Sequence, residues 1–176
     1  MKHITLITGG GRSGKSRHAL SLAQEYTQPR AFIATAEPFD GEMRRRIENH
    51  RRERASEFIT FEESINPGAV LENLPSDINV AVLDCLTVWL GNLMHQNPEG
   101  FESCEQIEHF LSVLDQSPCD LIIVTNEVGM GIVPHNKMAR DFRDMAGKLN
   151  QQVAAKADRV IFMVSGCSLL MKDTQS

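Results

Sequence analysis

Residues 4–16, ITLITGGGRSGKS, constrain the fold more than any other part of the chain. A short apolar run is followed by the pattern G-x-x-x-x-G-K-[ST], which is typical of a loop between a strand and a helix that cradles phosphates. Glycines let backbone N–H groups turn toward an anion, and the following helix points its positive end at the same place. A chance glycine-rich turn is the alternative, but the strand before it and the helical pattern after it favour phosphate binding. The predicted phosphate-binding residues are Gly9, Gly10, Gly11, Arg12, Ser13, Gly14, Lys15 and Ser16.

Such a loop assigns chemistry to particular side chains. Lys15 would reach the β- and γ-phosphates of a nucleotide, and the Ser16 hydroxyl would ligate Mg²⁺. A carboxylate is also needed to hold the metal, and Asp84 is the candidate because it closes the apolar run 80–83. The carboxyl end of a parallel strand faces the ligand crevice. The alternative for Asp84 is an N-cap for the next helix, and both roles are compatible.

Short apolar runs alternate with helical patterns along the chain. Most runs are apolar throughout, which is typical of strands buried on both faces of a parallel sheet. The predicted strands are 4–8, 31–35, 58–61, 80–84, 121–125 and 160–164. The predicted helices are 15–26, 41–54, 67–73, 86–94, 102–116 and 137–156. This alternation predicts one α/β domain, residues 1–176, with helices on both faces of a mostly parallel sheet, and a frayed tail at 172–176.

The composition of the chain argues against several classes of protein. The net charge of −5 argues against a general nucleic-acid binder. No apolar run approaches the roughly 20 residues of a membrane span, and the first one is too short for a signal-peptide core. The four cysteines form no CxxC pair, so they are interpreted as reduced thiols of a cytoplasmic protein.

The segment 44–54, RRRIENHRRER, places His50 among six arginines. In a helix over 41–54, Met43, Ile47 and His50 would share one face. Three interpretations remain open from the residues alone. The segment is a solvated charged face with a packed histidine, a nucleic-acid contact, or a phosphate site. In the third case a neutral imidazole attacks phosphorus while arginines stabilise the developing charge.

The stretch 125–136, TNEVGMGIVPHN, begins where a strand is predicted to end, so it should border the ligand crevice. Asn126 is a candidate for positioning a substrate. Glu127 either accepts a substrate hydroxyl proton or binds magnesium, or it caps a turn of its own loop. The sequence alone does not distinguish between these roles of Glu127.

Together these segments resemble the bifunctional adenosylcobinamide kinase and adenosylcobinamide-phosphate guanylyltransferase family of cobalamin biosynthesis. The resemblance runs through nearly the whole chain. It is carried by GGGRSGKSRHA at 9–19, IATAE at 33–37, RIENHRRER at 46–54, TFEE at 60–63, LDCLTVWLGNL at 83–93, the segment 124–158, and VSG at 164–166.

The resemblance implies two reactions. The aminopropanol hydroxyl of adenosylcobinamide is phosphorylated by ATP or GTP, and GMP is then transferred from GTP to that phosphate, which gives adenosylcobinamide-GDP and pyrophosphate. It also implies a GMP–histidine intermediate on His50, with Lys15 as the second catalytic residue. The remaining implied nucleotide-binding residues are Ala34, Thr35, Ala36, Arg51, Arg52, Glu53, Arg54, Glu62 and Asp84.

The resemblance further implies a RecA-like P-loop NTPase fold, Mg²⁺ as cofactor and a cytoplasmic homotrimer without nucleic acid as a partner. Three other hypotheses compete with the bifunctional enzyme: a plain small-molecule P-loop kinase, a RecA-like ATPase, and a GTP-binding switch. The plain kinase explains the phosphate loop and Asp84 but not His50 among arginines. Transfer of label from the α-phosphate of GTP distinguishes the bifunctional enzyme from the plain kinase. The RecA-like ATPase predicts hydrolysis stimulated by DNA, and the switch would bind or hydrolyse GTP without a covalent adduct.

Overall fold

A computed structural model of the chain describes residues 2–37, 41, 45, 57–98 and 104–174. Its strands join in a single sheet. They are β1 (Ile4–Gly9), β2 (Arg30–Ala34), β3 (Ile59–Glu62), β4 (Val80–Asp84), β5 (Asp120–Val124), β6 (Arg159–Val164) and β7 (Cys167–Asp173). The strand order is β3-β2-β4-β5-β1-β6-β7, and all neighbours are parallel except β6 and β7. The predicted mostly parallel α/β sheet is confirmed.

Helices lie on both faces of this sheet. They are α1 (Lys15–Gln24), α2 (Pro67–Glu72), α3 (Leu86–Gln96), α4 (Glu105–Leu114) and α5 (Lys137–Lys156). Gly41 and Arg45 are also helical, and the rest of the predicted helix 41–54 lies outside the described residues. Within the described ranges, no helix has both the length and the apolar character needed to cross a membrane.

Alternate residues of the central strands pack into two separate cores. Leu6, Ile33, Leu83 and Ile123 face one side, where they join side chains of α2 to α5 around Trp89. The intervening residues face α1 on the other side, in a core that includes Ile7, Phe32, Val82, Ala19 and Ala23. Because both faces are covered, the strands need apolar side chains at every position, which explains why their sequences do not alternate.

The C-terminal prediction was wrong. Residues 172–173, expected in a frayed tail, belong to β7, which forms an antiparallel hairpin with β6. Lys172 holds the strand in place, since its Nζ donates to the carbonyl oxygens of Ala154, Ala155 and Ala157 at the end of α5. The predicted helix 102–116 begins later, at Glu105, with Cys104 as its N-cap.

Candidate functional site

The carboxyl ends of the parallel strands meet at one edge of the sheet, and the phosphate loop occupies that edge between β1 and α1. Gly9 has φ 144°, and a Cβ there would overlap the carbonyl oxygen of Met163 on β6. Gly14 is the N-cap of α1 with φ 98°, and the N–H of Gly166 donates to Ser13 O at 3.0 Å. The loop therefore needs glycine at positions 9 and 14, because the backbone there leaves the region that other residues favour.

Lys15 is the buried cation of this loop, with 6% of its surface exposed. Its Nζ donates to Gly10 O at 2.5 Å and lies 3.4 Å from Ser13 Oγ. Burial lowers the pKa of Lys15, while Cys85 and Asp84 act in the opposite direction. The ammonium group is thus held in a partly dehydrated position, where an incoming phosphate would be attracted strongly.

Asp84 ends β4 and is half-buried at the same edge. Its negative charge opposes the lowering of the Lys15 pKa, as attraction between a carboxylate and an ammonium group requires. The N-cap of α3 is Cys85, so the structure separates Asp84 from the capping role. Burial, followed by the Asp84 charge, raises the pKa of Cys85 to about 12, so this thiol stays protonated and is no nucleophile at neutral pH.

Thr35 supports this region from inside the protein. It is fully buried, its hydroxyl accepts from Cys85 N at 2.8 Å, and the same hydroxyl donates to Cys85 O at 2.9 Å. Asn92 of α3 donates to Thr35 O at 2.8 Å and to Ser64 O at 3.0 Å. Any effect of the Thr35 hydroxyl on a nucleotide would therefore act through the backbone of Cys85, the N-cap of α3, rather than by direct contact.

Ala34 and Glu62 are paired in register at the ends of β2 and β3, with Glu62 exposed. Ala36 follows in the loop after β2 and is half-buried. In the strand order, β3 lies four strand spacings from β1, or about 19 Å at roughly 4.8 Å per spacing. The predicted residues thus form one row along this edge, because Ala34 is in register with both Glu62 and Asp84, and the row continues toward the phosphate loop.

The segment after β5 lies against the phosphate loop. Glu127 N donates to Gly9 O at 3.0 Å, and Glu127 Oε1 accepts from Gly129 N at 2.7 Å. The turn-capping role considered for Glu127 is therefore present in the structure. A carboxylate offers about four acceptor positions, so this contact leaves capacity for a further partner.

Part of the predicted site belongs to the arginine segment 44–54. His50, Arg51, Arg52, Glu53 and Arg54 lie outside the described residues. Of the arginine segment, only Arg45 is described, and it is exposed. Elsewhere in the described part of the chain, no group of three or more His, Cys, Asp or Glu side chains is arranged to hold a metal ion.

The sequence analysis did not predict the polar side chains that anchor the loops at the carboxyl ends of the strands. Asn92 is buried, and Trp89 Nε1 donates to Ile65 O at 2.8 Å, so α3 anchors the segments that follow β2 and β3. Thr87 of α3 and Asn150 of α5 hold the segment after β5. The available signal was a polar residue within an otherwise apolar helical stretch, as in WLGNLM, because such a residue needs a buried partner.

Comparison with known proteins identifies the family. The family model described as "Cobinamide kinase / cobinamide phosphate guanyltransferase" matches residues 5–171. The bifunctional adenosylcobalamin biosynthesis protein CobU of Escherichia coli K12 is 40% identical over 184 residues, covering 96% of this chain and 99% of that protein. The bifunctional adenosylcobalamin biosynthesis protein CobP of Pseudomonas aeruginosa is 40% identical over 168 residues, covering 95% and 96%.

Solved structures place the fold among RecA-like P-loop NTPases. The RadB recombinase superposes with a TM-score of 0.56 at 16% identity, covering 97% of this chain and 81% of that one. A KaiC-like protein from Pyrococcus horikoshii OT3 gives 0.52 at 15% identity, covering 97% and 79%. At this identity the likeness concerns the fold alone. The family match spans the phosphate loop, Asp84 and the segment after β5, and we conclude that the chain belongs to the cobinamide kinase / cobinamide phosphate guanyltransferase family.

Proposed function

We propose that this protein phosphorylates the aminopropanol hydroxyl of adenosylcobinamide with ATP or GTP and then transfers GMP from GTP to the new phosphate. The observation that carries the proposal is the family match over residues 5–171, which includes both the phosphate loop and the segment after β5. These two segments touch through Glu127 N and Gly9 O, so a phosphoryl donor and its acceptor would meet there.

In the kinase step, the loop N–H groups and Lys15 hold the triphosphate and neutralise charge as it develops. The hydroxyl oxygen of adenosylcobinamide bonds to the γ-phosphorus, and the bond from that phosphorus to the β,γ-bridging oxygen breaks. We assign the hydroxyl proton to the Glu127 carboxylate, because its backbone is bonded to the phosphate loop. The nucleoside diphosphate leaves with the bridging oxygen.

In the guanylyl step, we propose that His50 attacks the α-phosphorus of GTP. The new nitrogen–phosphorus bond replaces the bond to the α,β-bridging oxygen, and pyrophosphate leaves. A phosphate oxygen of adenosylcobinamide phosphate then displaces His50 and forms adenosylcobinamide-GDP. Arg51, Arg52, Glu53 and Arg54 are proposed to line this site, together with Ala34, Ala36 and Glu62. The buried Thr35 is proposed to act on it through its hydrogen bonds to the backbone of Cys85. The protonated Cys85 thiol next to the phosphate loop offers no competing nucleophile.

Magnesium is the metal that the donor groups suit. Ser16 lies in the first turn of α1 and offers a hydroxyl oxygen. Asp84 ends β4 and offers a carboxylate. Both residues are half-buried at the same edge of the sheet. Mg²⁺ prefers oxygen ligands, and it commonly uses one or two carboxylates together with substrate phosphates. When bound, it would neutralise charge on the β- and γ-phosphates.

We further propose that the protein acts in the cytoplasm as a homotrimer without nucleic acid. Exposed apolar side chains support an association between copies, since Ile132 is 97% exposed and Met130 is 79% exposed in the loop before α5. Leu169, Leu170 and Met171 on β7 are also exposed. Large apolar side chains that are exposed next to one another are typical of surfaces that a partner covers.

The test of the proposed function is a trapping experiment. The protein is mixed with Mg²⁺ and GTP labelled at the α-phosphorus, then denatured, with His50→Asn as the matched control. We expect label on the wild-type protein in an acid-labile, alkali-stable linkage, and none on the variant. If the wild-type protein carries no label but still transfers γ-phosphate to adenosylcobinamide, the protein is a plain kinase and the guanylyl step is contradicted.

A further inference from the structure

Side chains from three elements close a ring of hydrogen bonds around one peptide segment beside the phosphate loop. Asn126 N donates to Thr87 Oγ1 at 2.8 Å, and Asn150 Nδ2 donates to Asn126 O at 3.2 Å. Thr125 Oγ1 donates to Asn150 Oδ1 at 2.8 Å and lies 3.2 Å from Thr87 Oγ1. Thr125 is buried, and Thr87 and Asn150 are half-buried on α3 and α5.

The contacts determine where each proton in the ring lies. Because the Thr125 proton goes to Asn150 Oδ1, Thr87 must donate its own proton to Thr125 Oγ1. Thr87 Oγ1 then accepts from the backbone of Asn126, and Asn150 returns a donor to the carbonyl of the same residue. All donors point the same way around the ring, so each bond polarises the next and strengthens it.

The ring lies where β5 loses one of its two neighbours, because the pairing with β4 ends at Asp84 and Val124 while the hydrogen bonds to β1 continue. Thr125 N still donates to Ile7 O at 2.9 Å, in line with the β1–β5 pairing. At Asn126 the ring side chains take over both backbone groups, and Glu127 N then donates to Gly9 O. The backbone that carries Asn126 and Glu127 is therefore held on both sides, relative to α3, to α5 and to the phosphate loop.

We infer that Thr87, Thr125 and Asn150 are positioning residues for phosphoryl transfer. They fix the Asn126–Glu127 backbone so that the acceptor hydroxyl meets the γ-phosphate in line. This inference rests on the proposed kinase function and adds residues that act through the backbone of Asn126. A displacement of about 1 Å at a reacting group lowers the rate about 100-fold, so a ring that fixes the two peptide groups of Asn126 would affect turnover more than binding.

Thr125→Val tests the inference because it keeps the shape of the side chain and removes the hydroxyl that links the other two residues. Thr125→Ser restores the hydroxyl and is the rescue variant. Asn79→Ala is the control. Asn79 Nδ2 also anchors a loop, because it donates to Thr27 O at 3.1 Å and to Gln28 O at 3.3 Å. Asn79 lies just before β4, at the opposite edge of the sheet from the phosphate loop. Each protein is assayed for phosphoryl transfer from GTP to adenosylcobinamide, for GTP affinity, and for hydrogen exchange at the Asn126 amide.

We expect Thr125→Val to lower kcat about 100-fold while GTP affinity changes less than about threefold, and to accelerate exchange of the Asn126 amide. Thr125→Ser should return kcat to within about fivefold of the wild type, and Asn79→Ala should leave it unchanged. Equal kcat in Thr125→Val and Asn79→Ala, failure of Thr125→Ser to restore kcat, or a parallel loss of GTP affinity would overturn the inference. Wild-type protein without phosphoryl transfer would instead overturn the proposed function, and the positioning role with it.

Discussion

At the scale of single residues, Lys15 combines a proposed role in binding nucleotide with a cost in stability. Its ammonium group is buried among loop atoms, and burial lowers its pKa from the ordinary value of 10.5. The unfolded chain therefore holds this proton more tightly than the folded protein does. Between the lowered pKa and 10.5, the unfolded state binds more protons, so the contribution of Lys15 to the free energy of unfolding rises with pH across that window.

Lys15→Met should separate the two effects. Without nucleotide at neutral pH, we expect the variant to be more stable than the wild type by about 1 kcal/mol, because a dehydrated charge is replaced by an apolar chain. The rise in Tm that GTP causes in the wild type should disappear. Thermal unfolding with and without GTP measures both. Lys137→Met, at a lysine that is 80% exposed, is the control and should change neither. A GTP-dependent rise retained in Lys15→Met would contradict the phosphate-site assignment.

At the scale of elements, β7 completes the sheet and also terminates a helix. Helix α5 ends at Lys156, and its last carbonyl groups have no partner within the helix. Lys172 supplies a cation and hydrogen bonds to Ala154, Ala155 and Ala157. A positive charge at a helix C-terminus is favourable, and more so where it is partly buried. The hairpin and the end of α5 thus stabilise each other.

Lys172→Met should reduce the free energy of unfolding by about 1–2 kcal/mol, because it removes the charged donor from the end of α5. Denaturant unfolding measures the change. Lys156→Met is the matched control, since its Nζ meets one carboxylate, Asp115, at the surface, and such pairs contribute about 0–1 kcal/mol. Equal losses in the two variants would show that the contacts to the α5 carbonyl groups add nothing beyond a surface charge.

At the scale of the whole molecule, several apolar side chains are exposed and bear on the proposed homotrimer. Ile132 is 97% exposed, so it contributes nothing to the core of its own subunit. Val133 and Met138 nearby are 60% and 58% exposed. A surface of this kind suits contact with another copy of the chain, which the proposed homotrimer would provide.

Ile132→Asp should shift the proposed trimer toward smaller species in sedimentation experiments, because a charge buried without a partner disfavours the contact. The free energy of unfolding of the separated subunit should change by less than about 0.5 kcal/mol, as for other exposed positions. Ser76→Asp adds the same charge at an exposed position before β4 and should leave assembly unchanged. A trimer that persists in Ile132→Asp would place the interface elsewhere, and a monomeric wild type would reject the homotrimer.

The chain sequence alone determined the fold class, the positions of its first six strands along the chain and the position of the phosphate loop. These features depend on local patterns: an apolar run, a glycine-rich turn, and a helix that begins at Lys15. It also determined the family, because the matching segments extend from residue 5 to residue 171. Strand β7 escaped prediction because CSLLMKD is stabilised by pairing with β6 and by Lys172 at the end of α5, and neither partner is adjacent in sequence.

Only the tertiary structure decided which polar side chains support the site. Thr87 and Asn150 both hold the backbone of Asn126, 39 and 24 residues away, because strand order brings α3 and α5 to the end of β5. It also decided that Thr35, expected near a nucleotide, has its hydroxyl enclosed by Cys85. A hydrogen bond depends on distances of a few tenths of an ångström between remote segments, and such distances exist only once the layers have packed.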